Sequence, residues 1–184
     1  ALLVKAGIIG APGSLERGST VSDFDSLERK LQHSLNSAVM HLMHTDTRIH
    51  LIDTPGAADF IGQSLPALEA VETAAIVINA ATGIEPMAVR MMEYAASRQL
   101  DRIIIVNKID AQGVNLAAVL AEIQATFGKE CLPLNLPDAG GTKVVDCFYN
   151  REGHSDFGTV DSAHRALVEQ VVEVDSAFVD RYLN

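Results

Sequence analysis

The chain has 184 residues, a length for one domain or for a domain carrying a small insertion. Hydrophobic residues make up 48% and charged residues 21%, which fits a globular chain with a real core and excludes a disordered tail, a collagen-like repeat and a coiled coil. The formal charge of −10 argues against a basic face that wraps DNA or RNA, and no apolar run reaches the roughly eighteen residues of a membrane helix.

The start, Ala1-Leu2-Leu3-Val4-Lys5, has neither a methionine nor the apolar stretch and cleavage site of a signal peptide, as expected of a chain cut from something longer. Cys131 and Cys147 form no disulfide framework and lack zinc-site spacing. They read as reduced thiols of a cytoplasmic protein.

Residues 1–8 read as the end of a helix closed by Gly7 and Gly10. Residues 10–33 are rich in Gly, Pro and Ser among charges, a loop with at most a helical turn near 27–31. Two short strands follow at 37–43 and 48–52, the second running into Asp53-Thr54-Pro55-Gly56. Phe60, Leu65, Leu68 and Val71 share a face of a helix over 59–71, which Pro66 weakens.

Residues 74–79 are apolar and uncharged, as suits a strand buried on both faces. A helix over 86–98 opens with Pro86 and carries Met87, Met91 and Tyr94 on one side. Ile103-Ile104-Ile105-Val106 reads as a second buried strand, stopping at Asn107-Lys108-Ile109-Asp110. A helix over 116–127 ends at Gly128. This βαβα rhythm from 48 to 127 predicts an α/β fold with a parallel sheet and helices on both faces.

After 130 the rhythm changes. Strands over 132–136 and 143–150 flank a turn at Asp138-Ala139-Gly140-Gly141, and a helix over 162–183 carries the apolar stripe Leu167, Val171, Val174, Phe178 and Tyr182. Residues 1–129 therefore read as the core and 130–184 as an inserted α+β subdomain.

Two motifs carry chemistry, each at the carboxyl end of a strand, where open α/β sheets bind ligands. Asp53 is placed to hold a magnesium ion through water, and the Gly56 N–H to meet a terminal phosphate. Alone, Asp-x-x-Gly also describes an Asp that starts a turn before a helix. In Asn107-Lys108-Ile109-Asp110, the Asp110 carboxylate can accept from both N1–H and the 2-amino group of guanine, a donor pair adenine lacks. Asn107 suits the far edge of the base and the Lys108 stem its face. The two motifs in this order point to guanine-nucleotide binding.

The stretch from Leu51 to Ala80 resembles the GTPase domain of the elongation factor G family of ribosomal translocases, and the 107–110 motif is similar to that family's guanine-specificity motif. Ser19-Thr20-Val21-Ser22-Asp23-Phe24-Asp25 resembles the start of its first switch loop, and Val144-Val145-Asp146 with the last helix its inserted subdomain. The resemblance implies a P-loop NTPase-type, Ras-like GTPase domain with GTP or GDP and Mg2+ as ligands. It assigns nucleotide contacts to Asp53, Thr54, Pro55, Gly56, Ala57, Asn107, Lys108, Ile109 and Asp110, and metal contacts to Ser34 and, through water, Asp53. It implies a ribosome partner for the intact protein and GTP hydrolysis coupled to movement on the ribosome.

There are departures. The phosphate-binding Gly-x-x-x-x-Gly-Lys-Ser/Thr loop and the last guanine-contacting Ser-Ala motif are absent from these 184 residues, so the domain is incomplete and the chain by itself is expected to be inactive. The family's switch Thr aligns with Ser34, which keeps the hydroxyl. The family's water-orienting His is Ala57, so no catalytic residue is assigned; His33, beside the switch, is the one nearby substitute. Three readings follow: an active translocase-type GTPase, a GTP-binding switch with little turnover, or a 130–184 module presented to a basic ribosomal protein.

Overall fold

The computed structural model describes residues 2–174. Helix α1 (Leu2–Lys5) is a single turn. Helix α2 (Ser26–Leu31) starts on a capping box: Asp25 Oδ1 accepts from the Leu27 N–H, and Glu28 reaches back to the Asp25 N–H. Strands β1 (Ala38–His44) and β2 (Thr47–Asp53) form an antiparallel hairpin closed through Thr45 and Asp46, with Thr45 in the left-handed region. A short 3-10 turn (Ala58–Phe60) leads into α3 (Ile61–Leu68). The helix expected over 59–71 is therefore shorter. Pro66 has no N–H for the Gly62 carbonyl, and the helix ends two residues later.

Strands β3 (Thr73–Asn79) and β4 (Asp101–Asn107) pair with each other, linked through α4 (Pro86–Ser97). The Asp101 N–H donates to the Glu72 carbonyl at one end, and the Ala80 N–H to the Asn107 carbonyl at the other. Partners advance together along the two strands, so the pair is parallel. Both strands differ from expectation in burial. Ala74, Ile76 and Ile78 are buried, whereas Val77, Ile103 and Ile105 are exposed, so the apolar runs are covered on one face at these positions. A continuous apolar run has the same composition whether one face or both are covered. In α4 the buried pair is Met92 and Ala95, with Met87, Met91 and Tyr94 half-buried at its margins, a rotation of the expected face.

Helix α5 (Leu116–Phe127) has the expected bounds, capped by Asn115, whose side chain accepts from the Ala118 N–H, and stopped at Gly128. Strands β5 (Asn135–Asp138) and β6 (Lys143–Asp146) form the second antiparallel hairpin, and α6 begins at Val160 and is described to Val174. β5 starts later than expected, after Pro133, which cannot donate to a ladder. Of the stripe expected along α6, Leu167 is buried and Val171 exposed; Phe178 and Tyr182 lie outside the described residues. Val160, His164 and Leu167 form the face that packs inward.

The chain divides into two compact units. One comprises Ala1–Ile76 with Pro86–Ile103, the other Val77–Glu85 with Ile104–Asn184. In the first, α3 and α4 are tied where Glu69 accepts from the Tyr94 hydroxyl and pairs with Arg98 at 2.8 Å. Among the described residues, the second holds two hydrophobic clusters. Ile78, Val119 and Ile123 gather Ile104 and Val106; Leu136, Cys147, Val160 and Leu167 gather Val145 and Phe157. Among the described residues, no helix is long and apolar enough to cross a membrane.

Candidate functional site

In the first unit, Asp53 ends β2 and is exposed, and among the described residues its carboxylate has no hydrogen-bond or ion-pair partner. Pro55, two residues on, is fully buried. Its carbonyl accepts at 2.8 Å from the hydroxyl of Ser64, a buried residue of α3. The loop is thereby pinned at Pro55 while Asp53, Gly56 and Ala57 stay exposed and Thr54 half-exposed. Ala57 precedes the 3-10 turn in extended conformation and supplies no side-chain cap; its carbonyl accepts from the Phe60 N–H.

Ser34 is half-buried, and its hydroxyl donates to Asp23 Oδ1 at 2.7 Å. Asp23 is itself buried; its other oxygen accepts from the Thr20 hydroxyl, and its carbonyl from Arg29 Nε. A second buried carboxylate, Glu28, accepts from the N–H groups of Asp25, Leu35 and Asn36. Burial pushes the Glu28 carboxyl up, but the backbone donors of Asp25, Asn36 and Leu35 outweigh it and hold the group below its ordinary value. These two carboxylates organise the segment from Thr20 to Asn36. His33 lies beside the same segment, exposed, with its ring 5.8 Å from Phe60 and Nδ1 3.3 Å from the Ser34 carbonyl.

Carboxylate and hydroxyl oxygens are ligand types that a hard cation takes. Asp53 offers an open carboxylate. Ser34 gives its proton to Asp23, which leaves the oxygen lone pairs available and fixes their direction, as outer carboxylates do for metal ligands.

In the second unit, Asn107 ends β4; its Oδ1 accepts from the Lys108 N–H at 2.9 Å. Lys108 has φ 57°, a left-handed conformation rare for a side chain of this size, and its carbonyl accepts from the Ala111 N–H. The chain turns sharply there, with Lys108 and Asp110 exposed and Ile109 half-buried. Among the described residues, one group could gather metal ligands: Asp138, which ends β5, with His154 and Asp156 of the segment after β6.

Residues 1–179 match the elongation factor Tu GTP-binding domain. The chain belongs to that family. It is 32% identical over 196 residues to an elongation factor G-like protein of Mycobacterium tuberculosis, using all of this chain and 28% of that protein. It is 29% identical over 182 residues to peptide chain release factor 3 of Listeria monocytogenes, using 97% of this chain and 33% of that protein. A crystal structure of a protein from Thermus thermophilus superposes with a TM-score of 0.87 at 28% identity, over 99% of this chain and 30% of that one. The chain spans a third or less of the length of these relatives. The fold is thus that of a P-loop GTPase of the translation-factor GTP-binding family, with β3–β4 as its parallel pair among the described residues.

Three residues that hold these loop segments, Asp23, Glu28 and Ser64, were not legible as such in the sequence. Only Glu28 had a local signal, the Asp25-Ser26-Leu27-Glu28 capping box.

Proposed function

We propose that the chain is the GTP-binding part of a cytoplasmic, ribosome-associated translation factor. In this reading Asn107, Lys108, Ile109 and Asp110 take the guanine base of GTP or GDP. Asp53, Thr54, Pro55, Gly56 and Ala57 serve the phosphate end, and Asp53, through water, and Ser34 serve Mg2+, which when bound neutralises phosphate charge. The observation that carries the reading is the 107–110 motif, exposed at the carboxyl end of a parallel strand in a chain of the GTP-binding family. The intact protein hydrolyses GTP in step with movement on the ribosome. Titration of the full-length protein with fluorescent GDP, competed by GTP and ATP, tests this. Competition by GTP alone is expected, and equal competition by ATP would refute it.

A switch with little turnover is the second reading, favoured by Ala57, whose methyl group cannot orient a water. A third, an interaction surface within 130–184 for a basic ribosomal protein, is favoured by the exposed aromatic pair Phe148 and Tyr149, with ring centroids 4.9 Å apart, and by exposed Glu169 and Glu173 on α6. Ribosome binding by Tyr149→Ala tests it while leaving the rest of the hairpin in place.

A further inference from the structure

The turn between β5 and β6 touches the guanine-specificity motif. Gly141 sits with φ +81°, and a Cβ built on it would lie 2.8 Å from the Ile109 carbonyl oxygen, 2.9 Å from its carbon and 3.0 Å from the Asp110 nitrogen. All three atoms belong to one peptide group, so no side-chain rotation relieves the clash. Only glycine lets the two backbones come this close. The neighbouring Gly140 has φ +67° with nothing within 4 Å of its own Cβ position.

The turn is braced from behind. The Gly140 N–H donates to Asp156 Oδ2 at 2.8 Å. The Asp156 N–H and the Ser155 hydroxyl both donate to the Pro137 carbonyl, at 3.0 and 2.9 Å. His154 Nδ1 lies 2.7 Å from Asp138 Oδ1, and the Gly141 N–H closes the turn onto the Asp138 carbonyl at 3.1 Å. One side of the 138–141 turn is therefore fixed to the 153–156 segment while the other bears on the Ile109–Asp110 peptide.

We propose that Gly141 is a positioning residue for guanine selection: the braced turn sets the height of the Ile109–Asp110 peptide, and so where the Asp110 carboxylate meets the base. The inference rests on the reading of Asp110 as the guanine acceptor. It places the determinant of base choice in part on the 130–184 segment, outside the motif itself.

The test uses the full-length protein and compares GDP with inosine diphosphate, which lacks the 2-amino group that Asp110 is read to accept. Loss of stability alone lowers both affinities together and leaves their ratio unchanged. Gly141→Ala is expected to weaken GDP binding by about tenfold or more, the scale of one lost hydrogen bond to a charged group, and to bring the GDP-to-IDP ratio toward one. Gly140→Ala carries the same left-handed penalty in open space and is expected to keep the wild-type ratio. A wild-type ratio in Gly141→Ala, or an equal fall in both variants, would overturn the proposal while leaving the site reading intact. A wild-type protein that binds no GDP would overturn the site reading, and the proposal with it. If Gly141→Ala does not melt cooperatively, Asp156→Ala, which removes the brace at Gly140 without adding an atom, decides instead. A lowered ratio supports the proposal and an unchanged one overturns it.

Discussion

The hydroxyl of Ser34 donates to the buried carboxylate of Asp23 at 2.7 Å, so the orientation of the switch-loop oxygen is set eleven residues upstream of it. Thr20 holds the other oxygen of the same carboxylate. The segment that the family reading assigns to Mg2+ and the terminal phosphate is thus preorganised by an internal acceptor.

Asp23→Ala leaves the Thr20 and Ser34 hydroxyls without that acceptor. Both hydroxyls are half-buried, so water takes part of the acceptor's place and the expected cost is about 0.5–1.5 kcal/mol for each bond lost. In the full-length protein, GTP affinity should fall more than GDP affinity, and more Mg2+ should be needed for half-maximal GTP binding. Thermal melting and Mg2+ titrations measure the two effects. A variant that melts and binds like wild type would remove Asp23 from this role.

Ser64→Ala addresses the second loop. Its hydroxyl is the donor to the buried Pro55 carbonyl. The change should destabilise the protein by roughly 1–3 kcal/mol. Ser37→Ala, which removes a comparable but solvent-exposed bond to the Gln63 carbonyl, should cost less because water replaces the donor. Urea unfolding of both variants gives the comparison, and equal losses would contradict it.

Contacts between residues distant in the chain leave no local mark on the sequence. Helix α5 was legible to the residue because its signals are local: Asn115 caps it, apolar residues recur within it and Gly128 ends it. That the 53–56 and 107–110 strings follow strand ends was legible for the same reason, each being contiguous and preceded by an apolar run. Ser64 with Pro55, and Gly141 with Ile109, are 9 and 32 residues apart, from 64 − 55 and 141 − 109. No periodicity links such partners, and a Ser in a helix or a Gly-Gly pair in a turn has an adequate local explanation already. The one-sided burial of β3 and β4 was hidden for another reason: Ala-Ile-Val-Ile and Ile-Ile-Ile-Val carry no polar residue to mark the open face.

The turn at 138–141 should respond to pH. His154 gains a hydrogen bond to the Asp138 carboxylate, which raises its pKa from the ordinary 6.5; the same contact, with the Ala139 N–H, lowers that of Asp138 from 3.8. The His154 contribution is complete below its unfolded value and is lost as pH rises through the raised folded one. The Asp138 contribution is present above its unfolded value and is lost as pH falls through the depressed folded one. The stability contributed by the pair is therefore complete between about 3.8 and 6.5. NMR titration of the His154 ring should give a lower pKa in Asp138→Asn than in wild type. Identical curves would show that the two side chains do not interact in solution.

Turnover has its own test. Ala57 is exposed, so an imidazole at that position meets no buried neighbour. In the full-length protein, Ala57→His should raise ribosome-stimulated GTP hydrolysis by about 10²–10⁴-fold, the usual range for a positioned acid–base or water-orienting group. If wild type already turns over at a rate the variant does not exceed, another group orients the water. His33, within 5.8 Å of Phe60 by ring centroids, is then the residue to replace with alanine.

Guanine recognition by Asp110 is the central claim, and a single substitution reaches it most directly. In the full-length protein, Asp110→Asn replaces an acceptor of two guanine donors with an amide. Calorimetric or fluorescence titration should show GDP binding weakened by about 1.5–3 kcal/mol, the scale of hydrogen bonds to a charged group. Xanthosine diphosphate, whose 2-oxo group accepts from the new amide, should gain relative to GDP. Unchanged GDP affinity, with no shift toward the xanthine nucleotide, would contradict the account.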